Sequence, residues 1–191
     1  MKFENEKKQC LARIDRSKKQ SVDKNIRQIV DFLNSLHNYY TTSSCSGRVM
    51  LIEMPEKGRK KESEWMFVSH EKATADSIKK ALSKKTKNEV WLRQEGAIMH
   101  VCCRSMEDAQ RLLSIVREQG FKRSGMISVH NRIMVEIMST ECISAIVAKN
   151  GKVPVDDNYI KILAASANSS MALNKRRIER LYCALRAPQA L

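Results

Sequence analysis

The sequence predicts an α+β fold, of the broad α/β kind: one domain over residues 1–191, with a mixed, mostly antiparallel sheet flanked by helices. Three observations predict it. Runs of strand-like pattern are interleaved with helical ones. No Pro/Gly linker divides the chain, and no repeat of roughly 20–50 residues is present. No G-x-G-x-x-G occurs and no two of the six glycines sit two apart, so the Rossmann nucleotide fingerprint is missing.

Taken in order, Phe3, Cys10, Leu11 and Ile14 are spaced for a short amphipathic helix, followed by a polar break at 15–20. Ser21 reads as an N-cap, and Val22, Ile26, Ile29, Val30, Leu33 and Leu36 predict a helix over 22–38. Residues 39–47 read as a Ser/Thr-rich loop, Val49 to Ile52 as a buried strand, and Trp65 to Ser69 as the strand returning beside it. A lysine-rich helix over 76–84 buries Ile78, Ala81 and Leu82. Val90-Trp91-Leu92 and 98–103 read as a hairpin around Glu95-Gly96. Ser105, with an acid three residues on, starts a helix that Gly120 stops. Strands over 124–129 and 132–138 follow, joined at His130-Asn131. A short strand at 143–147 leads into an Asn150-Gly151 turn, and Asp156-Asp157 opens a long last helix.

A hydrophobic content of 42% is ordinary for a globular chain, but a formal charge of +14 is not. That surplus, with a pI near 9.7, predicts a polyanionic partner, most simply nucleic acid. The basic residues form separate groups: Arg59 to Lys61, Lys79-Lys80 with Lys84-Lys85, and Lys175 to Arg180. No apolar run reaches the ~20 residues of a membrane helix. The charged first residues carry no secretory signal. Six cysteines without a C-x-x-C pair, and four scattered histidines, fit a reduced intracellular setting and predict no structural metal.

One stretch concentrates the chemistry. Tyr39-Tyr40-Thr41-Thr42-Ser43-Ser44-Cys45-Ser46-Gly47-Arg48 sets consecutive hydroxyls, a thiol, a glycine and a guanidinium between a helix and a strand. Small side chains let backbone approach a ligand closely. The spacing from thiol to guanidinium is too short for the amide cradle of a thiolate phosphatase, so Cys45 reads as an inert thiol. Arg48 opens a buried strand and must meet an anion, either a ligand's or an internal Asp or Glu. Trp65 fills the core or stacks on a purine, with the core preferred. His70 is a general base or a structural histidine. Asp15, Glu95 and His100 are further titratable groups at element junctions.

Read together, these stretches resemble the wybutosine-synthesising protein 3 family of S-adenosylmethionine-dependent tRNA methyltransferases, almost end to end. The residues that carry the resemblance are Asp15-x-Ser17 with Val22-Asp23, Thr42 to Arg48, and Trp65 with Ser69-His70. Leu92-Arg93-x-Glu95, His100-Val101-x-Cys103-Arg104, Gly120-Phe121 with Ser124-Gly125, and Asn168 continue it. Departures fall outside the central motif: Thr41 for a frequent serine, Gln20 for glycine, Gly96 for proline, Arg123 for asparagine.

The resemblance implies a non-Rossmann fold and cytoplasmic N-methylation of the wybutosine precursor base (7-aminocarboxypropyl-demethylwyosine) next to the anticodon of phenylalanine tRNA. It implies S-adenosyl-L-methionine as cofactor, bound by Ser43, Ser44, Cys45, Gly47, Arg48, Trp65 and Ser69. Arg48 would pair with the cofactor's carboxylate, and Ser43 and Ser44 would hydrogen-bond to it. His70 or Asp15 would accept the proton lost from the nitrogen. Two alternatives stay open on the residues alone: a tRNA- or rRNA-binding module without catalysis, and a different small-molecule transferase.

Overall fold

The computed structural model describes residues 2–13, 21–55, 63–188 and 191. The α+β class holds, and every strand pairing is antiparallel. The strands do not share one sheet. Among the described residues they form two sheets of four strands each, and the chain divides into two compact units. The first unit is Met1–Ser46, Ala97–Thr140 and Lys175–Leu191; the second is Gly47–Gly96 and Glu141–Asn174.

In the first unit the sheet order is β1 (Tyr39–Cys45), β5 (Ile98–Cys103), β7 (Ile133–Met138), β6 (Gly125–Ser128). Its core joins Ile29 and Leu33 of α2 (Arg27–Ser35), Met99 and Val101 of β5, Leu112 of α4 (Met106–Glu118), Phe121, and Val135 and Ile137 of β7. Ile178, Leu181 and Leu185 complete it from the last helix. Each such side chain contributes roughly 1.5–3 kcal/mol when buried. Helix α1 (Lys2–Leu11) buries none of its residues fully. It holds through Phe3 edge-on to Tyr40 at 5.2 Å, Lys7 donating to the Leu36 carbonyl, and Glu4 paired with Arg104 at 2.6 Å.

Two expectations are corrected in this unit. The helix predicted to begin at Val22 starts at Arg27, with Ile26 as an N-cap that makes no side-chain bond. Asp23 bends the chain instead: its carbonyl accepts from the amides of Ile26 and Arg27. The hydroxyl-rich stretch is mostly strand β1, because β5 offers it a full antiparallel ladder from Cys103 to Ile98. The cap of α4 matches its expectation, with the Ser105 hydroxyl accepting from Asp108 N at 3.1 Å. Gly120 ends this segment at φ 95°.

The second unit has the order β3 (Glu64–Ser69), β2 (Arg48–Met54), β4 (Glu89–Glu95), β8 (Cys142–Ala148). Strand β4 alternates as a one-sided strand must: Val90, Leu92 and Gln94 are buried, while Glu89, Trp91, Arg93 and Glu95 are partly exposed. Val90 and Leu92 meet Val49, Leu51 and Val147 in a core closed by Ile78, Ala81 and Leu82 of α3 (Ala75–Leu82). Ile160, Leu163, Ala164 and Ala167 of α5 (Asp157–Leu185) join them. A capping box at Thr74 and Ser77 starts α3. Asn150 (φ 51°) and Gly151 (φ 73°) turn the chain after β8, as two residues in the left-handed region allow.

The predicted hairpin of β4 and β5 does not exist. β4 lies between β2 and β8, β5 lies between β1 and β7, and the chain changes unit between Gly96 and Ala97. Glu95-Gly96 resembles a local turn in composition, but the pairing partners lie far off in sequence. The basic knot at Arg59 to Lys61 lies outside the described residues.

Candidate functional site

Each unit carries its own share of the expected site residues. In the first, Ser43, Ser44 and Cys45 lie on β1, where they stand across from His100, Met99 and Ile98. A β-bulge between Thr41 and Ser43 shifts the register, so Ser43 rather than Thr42 faces His100. The Ser43 hydroxyl lies 2.8 Å from His100 Nδ1, and His100 Nε2 lies 2.9 Å from Glu136 Oε2 on β7. Beyond β1, the Asp23 carboxylate accepts from the amide (3.0 Å) and hydroxyl (3.2 Å) of buried Ser46. Val22-Asp23 thus supports the Ser-Ser-Cys-x-Gly-Arg motif physically, by fixing its fourth residue. Burial raises the neighbouring thiols of Cys102 and Cys103, the latter to about 12, which leaves both as inert thiols.

In the second unit, Arg48 donates through Nε (3.1 Å) and Nη2 (2.9 Å) to Glu95 Oε2. The two residues stand directly across from each other on β2 and β4. The anionic partner of Arg48 here is therefore the internal acid. The guanidinium also lies over the Trp65 ring, 4.6 Å from its centroid. Trp65 does not fill the core: it is 42% exposed on edge strand β3, with an aromatic surface turned outward.

Gly47 carries φ 98°, and a Cβ there would stand 2.9 Å from both Glu95 O and Asn174 Nδ2. Only glycine gives a backbone this close an approach. The Gly47 carbonyl accepts from His70 Nδ1 at 2.8 Å. A carbonyl only accepts, so the hydrogen of the neutral ring sits on Nδ1 and its lone pair on Nε2. Ser69 accepts from Glu71 N at 3.1 Å and closes the turn that presents His70. Asn168 of α5 grips Ala73 through both its amide and its carbonyl, at 2.9 and 2.8 Å. Asp15 lies outside the described residues.

A polar hollow of about 310 Å³ in this unit is lined by Glu53, Pro55, Glu64, Lys85, Lys87 and Asn88, none of them an expected site residue. Residue-level reading missed Glu136 altogether and noted His100 only as a titratable group at a junction. Strand register, not motif, connects them, and register was not readable from the sequence.

The geometry gathers hydroxyls, an imidazole and a carboxylate in one unit, and a clamped guanidinium, an exposed indole and a second imidazole in the other. No described helix is long and apolar enough to cross a membrane. Residues 5–187 match the family model described as Methyltransferase TYW3. The chain belongs to this methyltransferase family.

Among its relatives is the "tRNA wybutosine-synthesizing protein 3 homolog" of Bos taurus. The two are 36% identical over 184 residues, 94% of this chain and 71% of the relative. The Pyrococcus abyssi "tRNA(Phe) 7-((3-amino-3-carboxypropyl)-4-demethylwyosine(37)-N(4))-methyltransferase 1" is 35% identical over 93% of each chain. The solved PH1069 protein from Pyrococcus horikoshii matches with a TM-score of 0.89 and 33% identity, over 97% of this chain and 96% of that one.

Proposed function

We propose that this methyltransferase acts on phenylalanine tRNA, transferring a methyl group from S-adenosyl-L-methionine to N4 of the 7-aminocarboxypropyl-demethylwyosine base beside the anticodon. The observation that carries this reading is the likeness to the Pyrococcus abyssi enzyme, which runs through 93% of both chains. Residues 1–191 serve as one functional domain in this reading, since the family match runs through both units without a break. The reduced cysteines suit a cytoplasmic setting. The +14 surplus serves the tRNA phosphates.

The residues present fit such a donor. A guanidinium suits the donor's carboxylate, and the exposed Trp65 ring suits its adenine. The donor supplies an electrophilic methyl group on a sulfonium. Arg48 would hold the carboxylate with the three N–H donors outside its contact with Glu95, which fixes the plane of the fork. Trp65 offers the aromatic surface on which an adenine stacks. The Gly47 carbonyl holds the His70 ring with its lone pair on Nε2, the atom that would take a proton, and Ser69 closes the turn that presents the ring. Ser44 and Cys45 complete the donor-binding set, with Asp15 as the second candidate to accept the proton.

The test is transfer of labelled methyl from S-adenosylmethionine to tRNA prepared from cells that lack this step. Wild-type protein is expected to label it. Arg48→Ala should weaken donor binding about tenfold in calorimetry, the size of a charged hydrogen bond. His70→Ala should lower the rate with donor affinity retained. No transfer, combined with tight salt-dependent tRNA binding, would instead make the chain a binding module. Unchanged donor affinity in Arg48→Ala would remove that residue from the carboxylate.

A further inference from the structure

Ser43, His100 and Glu136 form a row across three adjacent strands. The register sets Ser43 against His100 and His100 against Glu136. The two contacts are 2.8 and 2.9 Å. The strand neighbours of His100, Met99 and Val101, are fully buried in the core, so the row lies on the opposite face of the sheet. Exposure is graded along it. Ser43 is exposed, while the side chains of His100 and Glu136 keep 29% and 26% of their surface in solvent. The bulge between Thr41 and Ser43 completes the row. Regular pairing would set Thr42 across from His100 instead.

The polarity of the row follows from its carboxylate end. An ionised carboxylate only accepts, so the neutral His100 ring carries its hydrogen on Nε2 and its lone pair on Nδ1. The Ser43 hydroxyl then donates inward to Nδ1, and its remaining lone pairs face outward. Such a hydroxyl cannot also donate to a donor carboxylate, the role that resemblance suggested for it. It can accept a hydrogen from an N–H group.

We propose that Ser43, His100 and Glu136, rather than the single His70 or Asp15 base considered above, are a proton relay that withdraws the proton from the nitrogen receiving the methyl group. This rests on the methyltransferase reading above. As the nitrogen's electron pair forms the N–C bond, the methyl–sulfur bond breaks and its pair stays on sulfur. The nitrogen's proton passes to Ser43 Oγ while the hydrogen of Ser43 passes to His100 Nδ1. The resulting imidazolium is held by Glu136 until it returns the proton to water. The single positive charge of the sulfonium ends on the imidazole, so charge balances. Ser43 touches the substrate, and His100 and Glu136 are positioning residues that act through it.

Two measurements test the relay on the full chain. Nitrogen-15 chemical shifts of the His100 ring in the free protein should show hydrogen on Nε2 and a bare Nδ1, a preference that Glu136→Gln abolishes. Single-turnover methyl transfer at saturating donor and tRNA should fall on the order of 10²-fold in His100→Ala, with donor affinity and melting temperature kept. Added imidazole should restore a good part of it. A ring protonated on Nδ1 would overturn the proposal, whether or not the protein transfers methyl. So would an unchanged rate in His100→Ala, or a lost rate that imidazole cannot restore and that follows a lowered melting temperature. A wild-type protein that labels no tRNA would end the methyltransferase reading, and with it the relay's role in methyl transfer, whatever the ring tautomer.

Discussion

In the first unit a carboxylate, Glu136, is set against an imidazole; in the second a carboxylate, Glu95, is set against a guanidinium. Both pairs join residues directly opposite on neighbouring antiparallel strands, within sheets of the same size. The chemistry they permit differs. Arginine keeps its charge at every working pH, so Glu95–Arg48 is a fixed, oriented fork and holds Trp65 as well. A neutral imidazole carries its hydrogen on one of two nitrogens, so Glu136–His100 fixes which nitrogen bears it and passes that choice to Ser43. One cross-strand geometry therefore serves as a clamp in one sheet and as a directed hydrogen-bond chain in the other.

The largest expected effect tests whether the two cores are separate. Leu112 and Leu51, one in each core, have no exposed surface. Either change to alanine should cost about 2–5 kcal/mol. Both tryptophans, Trp65 and Trp91, lie in the second unit, so their fluorescence follows that unit alone, while circular dichroism follows both. Leu51→Ala should move the fluorescence midpoint in urea. A Leu112→Ala variant that moves it as far would erase the distinction between cores.

The helix caps give a smaller contrast. Thr74→Ala removes the bond from Ser77 N to the Thr74 hydroxyl, on the surface, while Thr74 N still donates to Ser77 Oγ, and should cost about 1 kcal/mol. Ser105→Ala removes a cap and also takes a donor from Asp108, which is buried and otherwise held by Asn38. Its cost should be the larger of the two by thermal melting. Equal costs would mean that burial of Asp108 adds nothing.

The smallest effect is confined to α1. The hydrogen bond from Arg104, with a backbone hydrogen bond after it, holds the Glu4 carboxyl down at about 2, below the usual ~4.3. A depressed carboxylate stabilises the fold above its ordinary range and loses that contribution as pH falls from about 4.5 toward 2. Hydrogen exchange of the α1 amides should therefore quicken across that window. In Glu4→Gln they should exchange faster already at neutral pH.

How much of this was legible varies by residue, for physical reasons. The Ser105 cap, the Gly120 stop and the Asn150-Gly151 turn depend on neighbours within a few positions, and local pattern finds them. The fork of Arg48 was half legible, since a strand-bound guanidinium had to meet an anion. That the anion is Glu95, 47 positions on, is a matter of register. The row from Ser43 to Glu136 joins residues 57 and 36 positions apart and turns on a bulge. The stretch around Ser43 read as a loop because its hydroxyls outnumber what a ladder needs. The partner strand β5 gave it regular pairing all the same.

The interleaving of the two units carries a consequence for how the protein is made. The first unit's core draws on Ile26 to Tyr39, on Ala97 to Ile137, and then on Ile178 to Leu185, while the second draws on Val49 to Ala167. A ribosome that has finished α2 and β1 has made nothing that can close. At ordinary translation speeds these elements wait on the order of ten seconds for Leu181 and Leu185. The usual order of N-terminal domain first therefore does not apply. The second unit, although it begins later, is the first to have all of its core residues in hand, at Ala167. The nascent chain therefore exposes Ile29, Leu33 and Tyr39 throughout most of its synthesis, the interval in which a chaperone would have the most to hold.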